Sequence, residues 1–161
     1  MRIRTLAVVV LTVAVALAVS VAGRSPEPAV GTWKANLTKS KYVPGPAPKS
    51  STSKIVANAD GSLTQTTDAV EATGAAVHYE ITFKFDGKDY PYKGTNPNAD
   101  SSSYKRIDDH TYDVMSKKGG KATVTSHVTY SADGKIRTVT QTGMDSTGKA
   151  AANLIVYDRQ P

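Results

Sequence analysis

Apolar and polar residues alternate with a period of two along most of the chain after residue 30, and turn residues break the alternation at nearly even intervals. The clearest run places Val77, Tyr79, Ile81, Phe83 and Phe85 on one face and His78, Glu80, Thr82 and Lys84 on the other. Strict alternation of this length, rich in β-branched and aromatic side chains, predicts a strand and excludes a helix. A weaker run, Ala122, Val124, Ser126, Val128 and Tyr130, predicts another. Asp60-Gly61, Asp86-Gly87, Gly119-Gly120 and Asp133-Gly134 each separate two such segments. Asp-Gly is a preferred tight-hairpin dipeptide, because both residues tolerate a positive φ. Thr73-Gly74, Asp108-Asp109-His110 and Ser146-Thr147-Gly148 mark three more reversals. The chain divides into about ten strands. They lie near 30–37, 51–58, 62–70, 76–85, 88–93, 102–107, 111–116, 121–130, 135–143 and 149–158.

Successive hairpins imply an antiparallel meander. Two connections are long: 38–49, with Pro44, Pro46 and Pro48, and 94–101, with Asn96-Pro97-Asn98. No helical period appears outside the amino-terminal segment, and the first long connection is too rich in proline for a helix pair. The fold class is therefore all-β. A meander of this size removes its exposed edges most simply by closing into a small barrel, wide enough to hold a ligand. An open β-sandwich is the alternative.

Composition adds compartment and excludes several chemistries. Arg2 and Arg4 precede an apolar run from Leu6 to Val19, then Ser20, Val21 and Ala22. Such a segment is the signature of a cleavable leader cut after Ala22. Its apolar run is shorter than the roughly 20 residues a spanning helix needs, and nothing later in the chain is apolar enough to insert. The expected organisation is a signal peptide over 1–22, a linker over 23–29 and one barrel domain over 30–161, secreted or periplasmic. Cysteine is absent, which excludes disulfides, a lipid-modified cysteine and thiolate metal sites. Loss of Arg2 and Arg4 lowers the formal charge from +6 to +4, with both signs interspersed, and this is not the footprint of a nucleic-acid binder.

Gly31-Thr32-Trp33-Lys34 resembles the Gly-x-Trp opening of the calycins, the lipocalin and fatty-acid-binding barrels. Asn153 to Arg159 is similar to their last strand, where a basic residue covers the first-strand tryptophan. The resemblance implies that Arg159 lies over Trp33 and closes the barrel, by a cation–π attraction of about 0.5 to 2 kcal/mol. From Val30 to Gln160 the chain also resembles a group of bacterial exported proteins that carry no known activity. The shared segments include Lys39-Ser40-Lys41-Tyr42, Pro44-Gly45-Pro46-Ala47-Pro48-Lys49, Asp86-Gly87-Lys88-Asp89-Tyr90-Pro91, Lys105-Arg106-Ile107-Asp108 and Lys117-Lys118-Gly119-Gly120-Lys121. Fatty-acid-binding proteins hold a carboxylate with Arg-x-Tyr in the final strand. Here the residue two before Tyr157 is Ile155, so that anchor is missing.

Candidate binding chemistry lies in the aromatics and two arginines. Tyrosine outnumbers the other aromatics, eight against two Phe and one Trp, and suits a cavity that is neither fully dry nor fully wet. Tyr79, Phe83, Tyr112 and Tyr130 are candidate wall residues. Arg106 shares a face with Tyr104, and Arg137 shares one with Val139 and Gln141. If either face is internal, a guanidinium beside a tyrosine would hold an anionic head bidentately. Tyr104 and Arg106 are expected at the barrel mouth, beside the second long connection. The competing reading for both arginines is a solvent-facing sheet position. His78, His110 and His127 lack metal-ligand spacing, and neither a nucleophile elbow nor a phosphate loop is present, so no catalytic residue, metal or cofactor is expected. The leading expectation is an exported, non-catalytic barrel that binds a small apolar or amphipathic ligand. A second is a filled barrel that docks a protein through the Pro44–Pro48 strip, and a third is a small barrel enzyme.

Overall fold

The computed structural model describes residues 27–144 and 148–161. The expected leader and the Ser146-Thr147 part of one expected reversal lie outside the described residues. No helix among the described residues is long and apolar enough to cross a membrane. Those residues form eleven strands and no helix. They are β1 (Gly31–Ala35), β2 (Ser50–Ala57), β3 (Leu63–Val70), β4 (Ala76–Phe83), β5 (Asp86–Pro91) and β6 (Lys93–Gly94). The second half supplies β7 (Ser101–Asp108), β8 (Thr111–Lys118), β9 (Lys121–Tyr130), β10 (Ile136–Met144) and β11 (Ala150–Arg159). All pairings are antiparallel in one sheet of order β5-β7-β8-β9-β10-β11-β1-β2-β3-β4-β6. Because β11 returns to pair with β1, the meander curls into a nearly closed barrel. Its seam lies between β4/β6 and β5.

That seam corrects one sequence expectation. Asp86-Gly87 does not turn a hairpin; it starts β5, whose ladder runs along β7 with Asp86 opposite Lys105. The reversal occurs one step earlier, at Lys84 and Phe85. There the Phe85 ring packs on Phe83, on Tyr112 and beneath the Arg106 guanidinium, 4.0 Å from its centroid. These side chains hold β5 away from β4, and stacking of Phe83 on Tyr104, 3.6 Å between centroids, bridges the opening instead of backbone bonds.

One end of the barrel is plugged. Trp33 is fully buried and stands opposite Arg159 in the β1–β11 register, with the guanidinium 4.5 Å from the indole centroid. The Trp33 Nε1 donates to the Ala29 carbonyl at 2.9 Å, and Arg159 donates to the carbonyls of Pro28, Val30 and Gly134. Residues 27–30, most of them expected as linker, are thus strapped under the barrel, and Ala29 is 0% exposed. Gly31 is required here: its φ is +143°, and a Cβ would stand 2.7 Å from Arg159 Nη1.

Candidate functional site

The inward faces are set by strand parity, and they divide the interior into two compartments. Toward the plugged end the inward residues are apolar or aromatic: Trp33, Ile55, Leu63, Ile81, Phe83, Tyr112, Val128 and Tyr130. Toward the opposite end the same strands turn polar, with Ser51 and Ser53 on β2, Gln65 and Thr67 on β3, Ser102 on β7 and Ser116 on β8. Ser126, Gln141 and Asn153 continue this polar wall on β9, β10 and β11. Dense packing fills the first compartment. The second is hollow.

Three cavities of about 250, 170 and 100 Å³ occupy the polar half, and Tyr79 and Gln141 line all three. They are lobes of one space. The outermost lobe opens between the two long connections, with Pro46 and Pro48 on one side of the rim and Asn96, Pro97 and Asn98 on the other. The innermost lobe ends on Arg137, between Tyr104, Tyr157 and Gln65.

Arg137 is 6% exposed and pairs with no carboxylate among the described residues. Its Nη1 reaches Ser53 Oγ at a long 3.4 Å, its guanidinium carbon lies 5.0 Å from the Tyr157 ring centroid, and its Nε has no partner. Arg137 and Tyr157 are direct neighbours in the β10–β11 register. The guanidinium and the Tyr157 ring therefore meet across two strands. Burial raises the pKa of the phenols of Tyr79, Tyr104 and Tyr130, which keeps them neutral hydrogen-bonding groups around this cation at ordinary pH.

Of the residues singled out from sequence, Tyr79, Tyr104 and Arg137 border the hollow. Phe83, Tyr112 and Tyr130 belong to the plug, where the Tyr112 and Tyr130 hydroxyls meet at 3.2 Å. Arg106 is not at the mouth. It faces inward, as its spacing from Tyr104 requires, but β7 runs away from the second long connection at about 3.3 Å per residue and carries Arg106 to the plugged end. There it forms an ion pair with Glu27 of the strap, so its charge is already neutralised. His78 and His127 sit on the outer surface beside Asp68 and Asp113. Tyr92 and Tyr157 belong to the strand tyrosines that suit a cavity, but with Gln65 and Asn153 they are not among the candidate site residues that the sequence singles out. Parity placed Asn153 with Tyr157, but only the inter-strand register brings Tyr157 to Arg137.

No family model matches the chain, and no curated protein matches it. Among solved structures it is similar to the crystal structure of the fluorescent protein UnaG, with a TM-score of 0.55 and 17% identity over 83% of this chain and 98% of that one. It is also similar to the S-type phycobiliprotein lyase CPES from Guillardia theta, with a TM-score of 0.54 and 13% identity over 84% and 90% of the two chains. At such identities the likeness concerns the fold, and with the nearly closed meander it makes this chain a calycin-like barrel.

Proposed function

We propose that this protein is an exported, non-catalytic carrier whose barrel takes up a small anionic molecule, with Arg137 as the anchor of its head group. The observation that carries the reading is a buried guanidinium with an unpartnered nitrogen at the floor of an open cavity. A buried charge without a counter-charge is costly, and a ligand carboxylate relieves that cost while accepting a fork of hydrogen bonds. The expectation of an apolar ligand is narrowed accordingly: the head must be anionic. Arg106 plays no part in this reading, because Glu27 already occupies it.

The test is a titration with two fluorescent probes of similar size, anionic 8-anilinonaphthalene-1-sulfonate and an uncharged naphthalene analogue. Wild-type protein binds the anion more tightly. Arg137→Met weakens the anion about tenfold to a hundredfold, the equivalent of a charge-assisted hydrogen bond of about 1.5 to 3 kcal/mol, and barely alters the uncharged probe. Arg106→Leu leaves the preference intact. An anion preference that survives Arg137→Met refutes the assignment.

A further inference from the structure

We infer that the body of the ligand is a planar aromatic with hydrogen-bonding substituents, and not an acyl chain; this rests on the anion-binding reading above. An anchor alone fits a fatty acid as well as any other carboxylate, so the choice falls to the wall between the anchor and the mouth. In this barrel the wall is mostly phenols, amides and hydroxyls, with Val114, Val128, Val139 and Ile155 set among them in the deepest lobe and Glu71 on the outermost one. Tyr79 and Gln141 face every lobe, Asn153 faces the two outer ones, and Tyr92 faces the two inner ones.

These groups are joined in chains that are only partly used. Asn153 Nδ2 donates to Gln141 Oε1, and Gln141 Nε2 donates to Ser126 Oγ, both at a long 3.2 Å. The Tyr92 hydroxyl meets Ser102 Oγ at 2.9 Å, and Ser102 meets Ser116 at 3.0 Å. Each amide offers two donors and two acceptor positions; Asn153 Oδ1 also accepts from the Val43 amide at 2.9 Å, and both amides keep capacity for a further partner. An alkyl chain laid along this wall would strip its water and return no hydrogen bond, leaving polar atoms buried and unmatched. A ligand that carries hydroxyl, amide or ring-nitrogen groups replaces the water in kind.

Shape points to a flat body. The Tyr79 and Tyr92 rings stand edge to face, 5.4 Å apart at 86°, and both border the two inner lobes. Tyr157 carries Arg137 over its ring beside the deepest lobe. Phenol rings and planar amides line the path from mouth to guanidinium, and an aromatic body can stack on them while its rim exchanges hydrogen bonds. The innermost lobe, about 100 Å³, has room for a carboxylate and the atoms next to it, while the two outer lobes receive the ring system.

Isothermal titration calorimetry with three carboxylates of comparable size separates the alternatives: 4-hydroxycinnamate, octanoate and glucuronate. The expected order has 4-hydroxycinnamate tighter than either of the others by about tenfold, the effect of one unmatched polar group. Gln141→Leu narrows that gap by weakening 4-hydroxycinnamate and strengthening octanoate, and the gain for octanoate shows that the variant is folded. Arg137→Met weakens all three. If octanoate or glucuronate binds as well as 4-hydroxycinnamate, the aromatic body is refuted and the anionic anchor stands. If none of the three saturates, or if all are indifferent to Arg137→Met, the anion reading itself falls and takes this inference with it.

Discussion

Arg137 is buried without a counter-charge, and that gives the residue opposite effects on folding and on binding. Removing a guanidinium from water costs several kcal/mol after relaxation, and neither the 3.4 Å contact to Ser53 nor the face of Tyr157 returns that amount. Methionine is similar in length and apolar, so Arg137→Met keeps most of the packing and removes the desolvated charge. The unliganded variant should therefore be as stable as wild type or more stable by about 1 kcal/mol, a rise of about 2 to 4 °C in melting temperature. Differential scanning calorimetry without ligand measures this, and a fall of several degrees would instead make Arg137 a structural residue. Sequence alone exposed half of this site. Spacing put Arg137 and Gln141 on one face, but nothing in the linear order paired Arg137 with Tyr157, twenty positions away. Nor could spacing show that Arg106, equally inward, meets Glu27 from a segment expected to be linker.

Strands were the most legible level, because each has to bury one face and therefore alternates. The expected segments over 62–70, 76–85, 121–130 and 135–143 agree with β3, β4, β9 and β10 to within two residues at each end. Turns were legible where glycine supplies the positive φ, as at Gly61, Gly120 and Gly134. The seam was not, because whether two successive strands pair depends on where Phe83 and Phe85 put their rings, and no local pattern encodes that. The closing pair of β1 and β11 depends on Trp33, which packs 5.2 Å from Tyr130, lies under Arg159 and donates to Ala29. Trp33→Ala removes all three contacts and leaves a large cavity in the plug. A loss of about 3 to 5 kcal/mol is expected in urea denaturation, with ligand affinity unchanged at temperatures where the variant is folded. A loss below about 1 kcal/mol would show that the strap and Arg159 close the barrel without it.

The whole molecule is a barrel with a filled aromatic end and a hollow polar end, and its stability should reflect that division differently in acid and in alkali. On the acid side the perturbed groups are surface carboxylates in the turns. The Ser62 hydroxyl and amide hold Asp60 down to about 2, while Asp86, Asp100, Asp108 and Asp133 lie below the ordinary carboxylate value through bonds from Lys88, Gly119, His110 and Ser131 respectively. A depressed folded pKa means that the stabilisation is present above about pH 4, the unfolded value, and fades as pH falls toward 2. All five are exposed, so this loss is gradual. On the alkaline side the perturbed groups are phenols. Tyr42 is raised to about 12 by burial and by the neighbouring Tyr157, and burial raises Tyr79, Tyr104 and Tyr130 as well. In the unfolded chain these phenols ionise near pH 10, whereas in the barrel they keep their protons. Above about pH 10 the unfolded state therefore binds fewer protons than the folded one, and stability falls as pH rises. Several phenols act together on this limb, with Tyr104 and Tyr130 the most deeply buried of them, so the alkaline decline is steeper than the acid one. Urea melts between pH 3 and 12 should accordingly show a broad plateau from about pH 4 to 10, a shallow acid decline and a sharp alkaline one. In a parallel absorbance titration of phenolate, Tyr42, Tyr79, Tyr104 and Tyr130 should ionise only above about pH 10 and together with loss of the far-ultraviolet β-sheet signal. If Tyr130 ionised near pH 10 with the sheet intact, its phenol would be in open contact with solvent, and the filled end of the barrel would not exist in solution.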